Sequence, residues 1–379
     1  MAAMAALFVF ATFSWLVLCG SQDANIDAAL ASSVAANSDP QFGMAIGNVL
    51  SWLPASQLTA ELQDMHSLGV TWIRYDINWS DVQPTNATSY YWSVYDRVVA
   101  AVNQAGMHSL VTIAYTPAWA RTAACKSAGD TCPPANSATF AAFARAVAAR
   151  YAPQGVHTWE IWNEPNAPSF WKPSPNPQAY TTLLKATAPA IRAVDAQATI
   201  LVGGLTGAMT GQGNISAASF LQTIYADGGA SSFNAVAIHP YTFPYTPSNA
   251  KVYGWEEMAD TPTNLRAIMQ ANGDSSKKIW ITEYGAPTDG PGSVIAENSN
   301  TPIGAANYVS ESSQAQLLTN AVQQYETYPW AGPFFWYSYK DLGTNTNTRE
   351  NFFGLIRADG THKPAYAAYQ QAISSATGQ

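Results

Sequence analysis

The chain has 379 residues, 47% hydrophobic and only 11% charged, so a large core is available and the charged fraction is well under the roughly 25% of typical soluble domains. A net charge of −8, with 17 Lys+Arg and no basic run, argues against a nucleic-acid partner, because phosphate neutralisation takes clustered cations. Length alone allows two domains, although an α/β barrel fills this range as one.

The first 18 residues, MAAMAALFVFATFSWLVL, are apolar and carry no charged side chain. They read as the hydrophobic part of a signal peptide over 1–21, with the small residues Cys19 and Ser21 permitting cleavage near Gln22. Export to an extracellular or periplasmic space is the expectation. The rival reading, an uncleaved anchor, meets a stretch that is short for a span, and no other segment could cross a bilayer, so no stable membrane association is expected. A polar, Ala/Ser-rich leader, 22–40, follows.

From residue 41 the chain alternates. Strand-like runs are FGMAI from Phe42, WIRYDI from Trp72, HSLVTIAY from His108 and TWEIW from Thr158, then TILVGG from Thr199, AVAIH from Ala235, KIWIT from Lys278 and PFFWYS from Pro333. Between and after them lie helical patterns: QLTAELQDMHSLG, VYDRVVAAVNQAG, SATFAAFARAVAARYA, QAYTTLLKATAPAIRAV, SAASFLQTIYA, TNLRAIMQANG, SQAQLLTNAVQQYE and PAYAAYQQAISS. Eight such units predict a single (β/α)₈ barrel, because parallel strands need helical crossovers and eight close the sheet. An open doubly wound sheet is the alternative, but no G-x-G-x-x-G follows the first strand.

In this fold the site lies where strands end at the C-terminal face. Strand two offers Arg74 and Asp76 there, strand four Asn163 and Glu164, and strand six His239 and Tyr241. Strand seven offers Glu283 and strand eight Trp336. Glu164 and Glu283 would thus meet at one rim. Two carboxylates across a pocket are what glycosidic-bond hydrolysis requires, one to protonate the leaving oxygen and one to attack the anomeric carbon or activate water. Adjacent Asn163 and Glu164 can serve one pocket only if the strand breaks its pleat, as at a bulge, and Pro165 suits that break. Glu160, inside the same strand, reads as structural, paired with an inward cation or hydrogen-bonded.

WNEPN, IHPY, TEYG and FWYSYKD on strands four, six, seven and eight resemble glycoside hydrolase clan A. RYDINWSDVQP and YTPAWA strengthen the likeness towards family 39 and its neighbours, with family 5 second. The resemblance covers about Phe42 to Tyr369. It implies a glycoside hydrolase catalytic domain over 41–379 and a retaining β-glycosidase acting on an oligo- or polysaccharide, with Glu164 as acid/base and Glu283 as nucleophile. It further implies that Asn163 binds the sugar 2-hydroxyl, that Arg74 and Tyr241 contact the nucleophile, that His239 joins the same network and that Trp336 floors the pocket. For turnover Glu283 must be ionised and Glu164 protonated, and a cation and a hydroxyl beside Glu283 would favour its anion.

Several readings stay open. Arg74 can neutralise Glu160 instead of touching the nucleophile, His239 can be a satisfied core histidine, and Trp119 can be pocket wall or core. A carbohydrate-binding barrel with weak turnover and a transglycosylase remain as rivals. No HxH or HExxH pair points to a metal, no cofactor motif is present, and no GxSxG points to a serine hydrolase. Cys125 and Cys132, in the loop after strand three, would form a disulfide in an oxidising compartment. Tyr245, Tyr253 and Trp255 are candidate stacking platforms for a sugar. Nothing names the sugar or calls for a partner chain, and a monomer is the default expectation.

Overall fold

A computed structural model describes residues 37, 39–249, 253–259, 261–296 and 307–378. The expected signal peptide and nearly all of the leader lie outside the described residues. Eight parallel strands close a barrel: β1 (Phe42–Gly47), β2 (Trp72–Asn78), β3 (His108–Ala114), β4 (Thr158–Asn163), β5 (Thr199–Thr206), β6 (Ala235–His239), β7 (Lys278–Tyr284) and β8 (Ala331–Tyr337). Each pairs with its sequence neighbours, and β8 pairs back onto β1 with Phe42 opposite Phe334.

The main helices are α1 (Ala55–Ser67), α2 (Ser93–Gln104), α3 (Ser137–Tyr151), α4 (Pro177–Arg192), α5 (Ala217–Ala226), α6 (Leu265–Ala271), α7 (Glu311–Glu326) and α8 (Pro364–Thr377). One follows each strand, as the periodicity predicts. Their starts are set locally: Asn136, Asn176, Ser216, Asn264 and Ser310 each accept a backbone N–H of the first turn, satisfying donors that the helix cannot. Among the described residues no helix is long and apolar enough to cross a membrane.

The main core lies between strands and helices, where Trp159, Trp162, Tyr180 and Phe220 are buried. A second cluster fills the lumen at its N-terminal end: Leu110, Leu201, Trp280 and Phe335, with Ala45, Ala235 and Ala237 between them and Trp72 against them. Two glycines make this packing possible. A Cβ on Gly43 would stand 2.3 Å from the Phe335 ring, and one on Gly332 2.2 Å from that of Trp280. The polar side chains above thus stand on an apolar floor.

After β3, Cys125 and Cys132 form a disulfide with Cα atoms 5.7 Å apart. It closes the loop that also returns to β3 through the Thr116 N–H to the carbonyl of Asp130.

Candidate active site

Arg74 organises the C-terminal end of the lumen. Extended backbone alternates faces, so Trp72 enters the lower plug while Arg74, two residues on, points into the layer above it. The guanidinium is buried and uses three nitrogens on three acceptors. Nε donates to Glu160 Oε2 at 2.7 Å, Nη1 to Glu283 Oε1 at 2.5 Å and Nη2 to Asn163 Oδ1 at 2.8 Å. Thr112 Oγ1 gives Glu160 a second donor at 2.8 Å. Arg74 therefore fills both of the roles left open for it. It neutralises the buried Glu160 and it holds Glu283, and burial of an ion pair is tolerable only with such additional hydrogen bonds.

Glu283 takes its other bond from Tyr241, whose hydroxyl donates to Oε2 at 2.8 Å. Burial pushes the Glu283 carboxyl up, but His239, Arg74 and the Tyr241 hydrogen bond together outweigh it and leave it below the usual carboxylate range. Tyr241 moves the other way: burial and then the Glu283 charge hold its phenol well above its ordinary value, so it stays a donor. His239 is 1% exposed. Its Nδ1 lies 2.9 Å from Glu164 Oε1 and 3.5 Å from Glu283 Oε2, so one imidazole nitrogen faces both acids. Gly204 makes room for that ring, because a Cβ there would stand 2.1 Å from His239 Nε2.

The break of pleat expected at Asn163–Glu164 occurs one residue earlier and by another device. Trp162 adopts φ +71 and Glu164 φ +42. Trp159, Ile161 and Trp162 all face the helix-side core, while Asn163 and Glu164 both reach the site. The register between β4 and β5 is unbroken here, and the irregularity lies next door, between β5 and β6 after Val202. β7 breaks its alternation too: its register against β8 slips between Ile281 and Tyr284, which turns Glu283 to the cavity while Tyr284 packs outward.

A cavity of about 750 Å³ opens over this layer, in the size range of small-molecule sites. Arg74, Asn163, Glu164, Tyr241 and Glu283 all line it. Three residues predicted to bind substrate, His239, Trp336 and Trp119, do not. Trp336 is fully buried in the helix-side core, edge-on to Tyr284 at 5.9 Å. Alternation along β8 gives the lumen Phe335 and Tyr337, and Tyr337 lines the cavity in place of Trp336. Trp119 stands edge-on to Trp79 at 5.5 Å and donates Nε1 to the Gln83 carbonyl at 2.7 Å, a structural post outside the cavity lining.

The stacking platforms also differ from expectation. Trp255 is buried, with Nε1 donating to the Tyr328 hydroxyl at 3.1 Å, and Tyr245 packs against the core. The side chain of Tyr253 lies outside the described residues. The aromatic lining comes instead from Tyr115, Phe170, Phe243, Tyr337 and Phe353 together with Tyr241. The one signal that could have found some of them is position, since Tyr115, Phe243 and Tyr337 stand at or just past strand ends.

A family model for cellulase, glycosyl hydrolase family 5, matches residues 34–321. The chain is 25% identical over 230 residues to a β-xylosidase from Geobacillus stearothermophilus, covering 58% of this chain and 42% of the xylosidase. Among solved structures it resembles a family 39 glycoside hydrolase from Bacteroides cellulosilyticus WH2, at 24% identity and TM-score 0.64, over 90% of this chain and 64% of that one. It also resembles a monomeric β-xylosidase from Caulobacter crescentus CB15, at 18% identity and TM-score 0.62, over 89% and 68% of the two chains. The chain thus spans less than half the length of the Geobacillus xylosidase, and the two structural likenesses speak for the fold. The family model covers more than half of the chain and spans β1 to β7, including Glu164 and Glu283: the chain belongs to glycosyl hydrolase family 5, the cellulase family.

Proposed function

We propose that this chain is a retaining β-glycosidase that hydrolyses an oligo- or polysaccharide by double displacement, with Glu283 as nucleophile and Glu164 as acid/base. One observation carries the reading: two carboxylates share one cavity, and the groups around them divide their roles. Glu283 has a guanidinium on one oxygen and a phenol on the other, which favour its anion. Glu164 has neither, and its contact is the imidazole of His239. Both side chains keep some access, 14% for Glu164 and 15% for Glu283.

The nearest oxygens of the two acids can be no further apart than the sum of their distances to His239 Nδ1, 2.9 Å and 3.5 Å. That limit admits the roughly 5–5.5 Å between the carboxyl groups of retaining enzymes. In the first step Glu283 attacks the anomeric carbon while Glu164 protonates the leaving oxygen. The glycosyl ester removes the charge of Glu283, and Glu164, now a base, draws a proton from the water that releases the sugar. Asn163, fixed by Arg74, presents its amide to the cavity and would hold the 2-hydroxyl.

Export belongs to the same proposal. It is supported by the apolar N-terminal run and by the Cys125–Cys132 disulfide, which persists in oxidising compartments. The reading is tested by following an aryl β-glycoside by proton NMR from the first turnovers. The β-anomer of the product should appear first and mutarotate later, and an α-anomer formed first would overturn the double displacement.

A further inference from the structure

The proposed chemistry employs Arg74, Asn163, Glu164, His239, Tyr241 and Glu283, and among the polar side chains of the cavity that it leaves without a task, two stand at the ends of β2 and β3 beside this network. Asp76 lies at the end of β2, 9% exposed, and lines the cavity beside Arg74. Arg74 commits its nitrogens to Glu160, Glu283 and Asn163 and gives none to Asp76. Thr112, the β3 neighbour of Asp76, is shared with Glu160. A buried carboxyl outside the guanidinium fork, at the wall of a substrate cavity, has hydrogen-bonding capacity directed at whatever fills that cavity.

Tyr115 is the second. It follows the last residue of β3, lines the same cavity and holds φ +68, a region that bulky residues rarely adopt. Of the four described non-glycine residues with positive φ, Tyr115 and Glu164 line this cavity, and Trp162 lies two residues before Glu164. Such backbone conformations persist where the surroundings impose them, and they cluster at functional sites. Among the described residues the Tyr115 hydroxyl has no hydrogen-bond partner, and Asp76 is the charge that acts on it most strongly. Gly47, at the end of β1, borders Asp76 and lines the same cavity. Gly47 has φ +59, and a Cβ there would stand 3.7 Å from Asp76 Oδ2.

Resting on the glycosidase reading, we propose that Asp76 and Tyr115 form a second recognition pair that hydrogen-bonds a ring hydroxyl of the glycone other than the 2-hydroxyl, and so sets which sugar is accepted. The carboxyl accepts from that hydroxyl while the phenol donates to it or to its neighbour. Such a site rejects a sugar lacking the hydroxyl, because the buried polar groups are then left without partners. An apolar wall at the same place would discriminate weakly.

The test measures kcat/KM for Asp76→Asn, Tyr115→Phe and the unaltered chain on an aryl β-glycoside and its 3-deoxy and 4-deoxy analogues, using the sugar that the unaltered chain cleaves best. The unaltered chain should prefer the parent over one of the deoxy analogues by roughly 10²-fold or more. Each variant should compress that ratio by about 10-fold, through loss on the parent with the deoxy substrate little changed. Parent and deoxy substrates falling together, with the ratio intact, would mean that these residues only support the fold, and would overturn the inference. A chain that cleaves none of the glycosides while folded would overturn the glycosidase reading itself, and the pair with it.

Discussion

At the N-terminal end of the barrel lumen, Trp72, Trp280 and Phe335 interlock over alanines and glycines, with Leu110 and Leu201 completing the layer. At the other end β2, β4 and β7 carry Arg74, Glu160, Asn163 and Glu283 in one hydrogen-bonded layer. The lower layer fills space at native density, and it has one irregularity of its own, a register slip between Ala331 and Phe334 on β8. The upper layer departs from alternation on the strands that bring the two acids: by positive φ at Trp162 and Glu164 on β4, and by a slipped register on β7. Positive φ at non-glycine residues of the barrel strands is confined, among the described residues, to β4, where two neighbouring residues must reach one cavity.

Breaking the upper layer should cost most. Arg74→Ala leaves Glu160 buried without its cation, and the loss of one partner from a buried pair costs about 3–5 kcal/mol. The variant should therefore show a large fall in Tm and no glycosidase activity, as chemical denaturation and a rate assay would record. Retained stability would mean that Glu160 is held by something other than this network.

A matched pair of substitutions sharpens the contrast. Gly204→Ala drives a methyl into His239 at the upper layer, whereas Gly332→Ala drives one into Trp280 at the lower plug. Overpacking costs about 1–3 kcal/mol at either place. At temperatures where both remain folded, Gly204→Ala should lower kcat by about 10-fold or more through the displaced imidazole, and Gly332→Ala should leave kcat unchanged. Equal kcat losses would erase the functional distinction between the two layers.

Asp76 provides a smaller effect with a definite sign. Burial, opposed by Arg74 and aided by Glu283 and Glu160, carries its carboxyl from 3.8 up to about 7. Over that interval the folded chain holds a proton that the unfolded chain has released. The contribution of Asp76 to stability is therefore complete below the unfolded value and is lost as pH rises towards the folded one. Asp76→Asn removes the titration, so its Tm relative to the unaltered chain should climb between about pH 4 and about pH 7, by roughly 2–4 °C for each kcal/mol involved. A difference that stays flat with pH would show that Asp76 titrates normally. The smallest effect is expected at Trp336. Its Nε1 is buried without a partner among the described residues, so Trp336→Phe removes a donor that makes no bond there and should change kcat/KM by less than about 2-fold.

These contrasts also mark what the sequence could say. The eight strands and eight helices were legible because hydrophobic period is a local property, and the acids were legible because a charge at the end of an apolar strand is costly to bury unless it serves a site. Which parity of β8 faces the lumen was not legible: Phe334, Phe335, Trp336 and Tyr337 are all aromatic, and only the closed register against β1 and β7 turns Tyr337 inward. The places of Trp119 and Trp255 were not legible for a related reason, since a tryptophan that bonds the Gln83 carbonyl or the Tyr328 hydroxyl has the same letter as one that meets a sugar. The roles of Asp76 and Tyr115 depend on where the guanidinium of Arg74 is spent and on a backbone angle, neither of which has a pattern in the chain.

The division of labour between the acids is tested most directly by azide rescue of their alanine variants. Glu164→Ala lacks the proton donor and should lose roughly 10²–10⁴-fold on substrates with poor leaving groups. It should still form the glycosyl ester from a glycoside with a very acidic leaving group, and azide, which needs no base, should release the β-glycosyl azide. Glu283→Ala should lose the covalent route on every substrate, and azide in the vacated space should give the α-glycosyl azide. The β-azide from Glu164→Ala and the α-azide from Glu283→Ala are the predicted result. The reverse pattern would exchange the two roles, and full activity in both variants without azide would contradict the account.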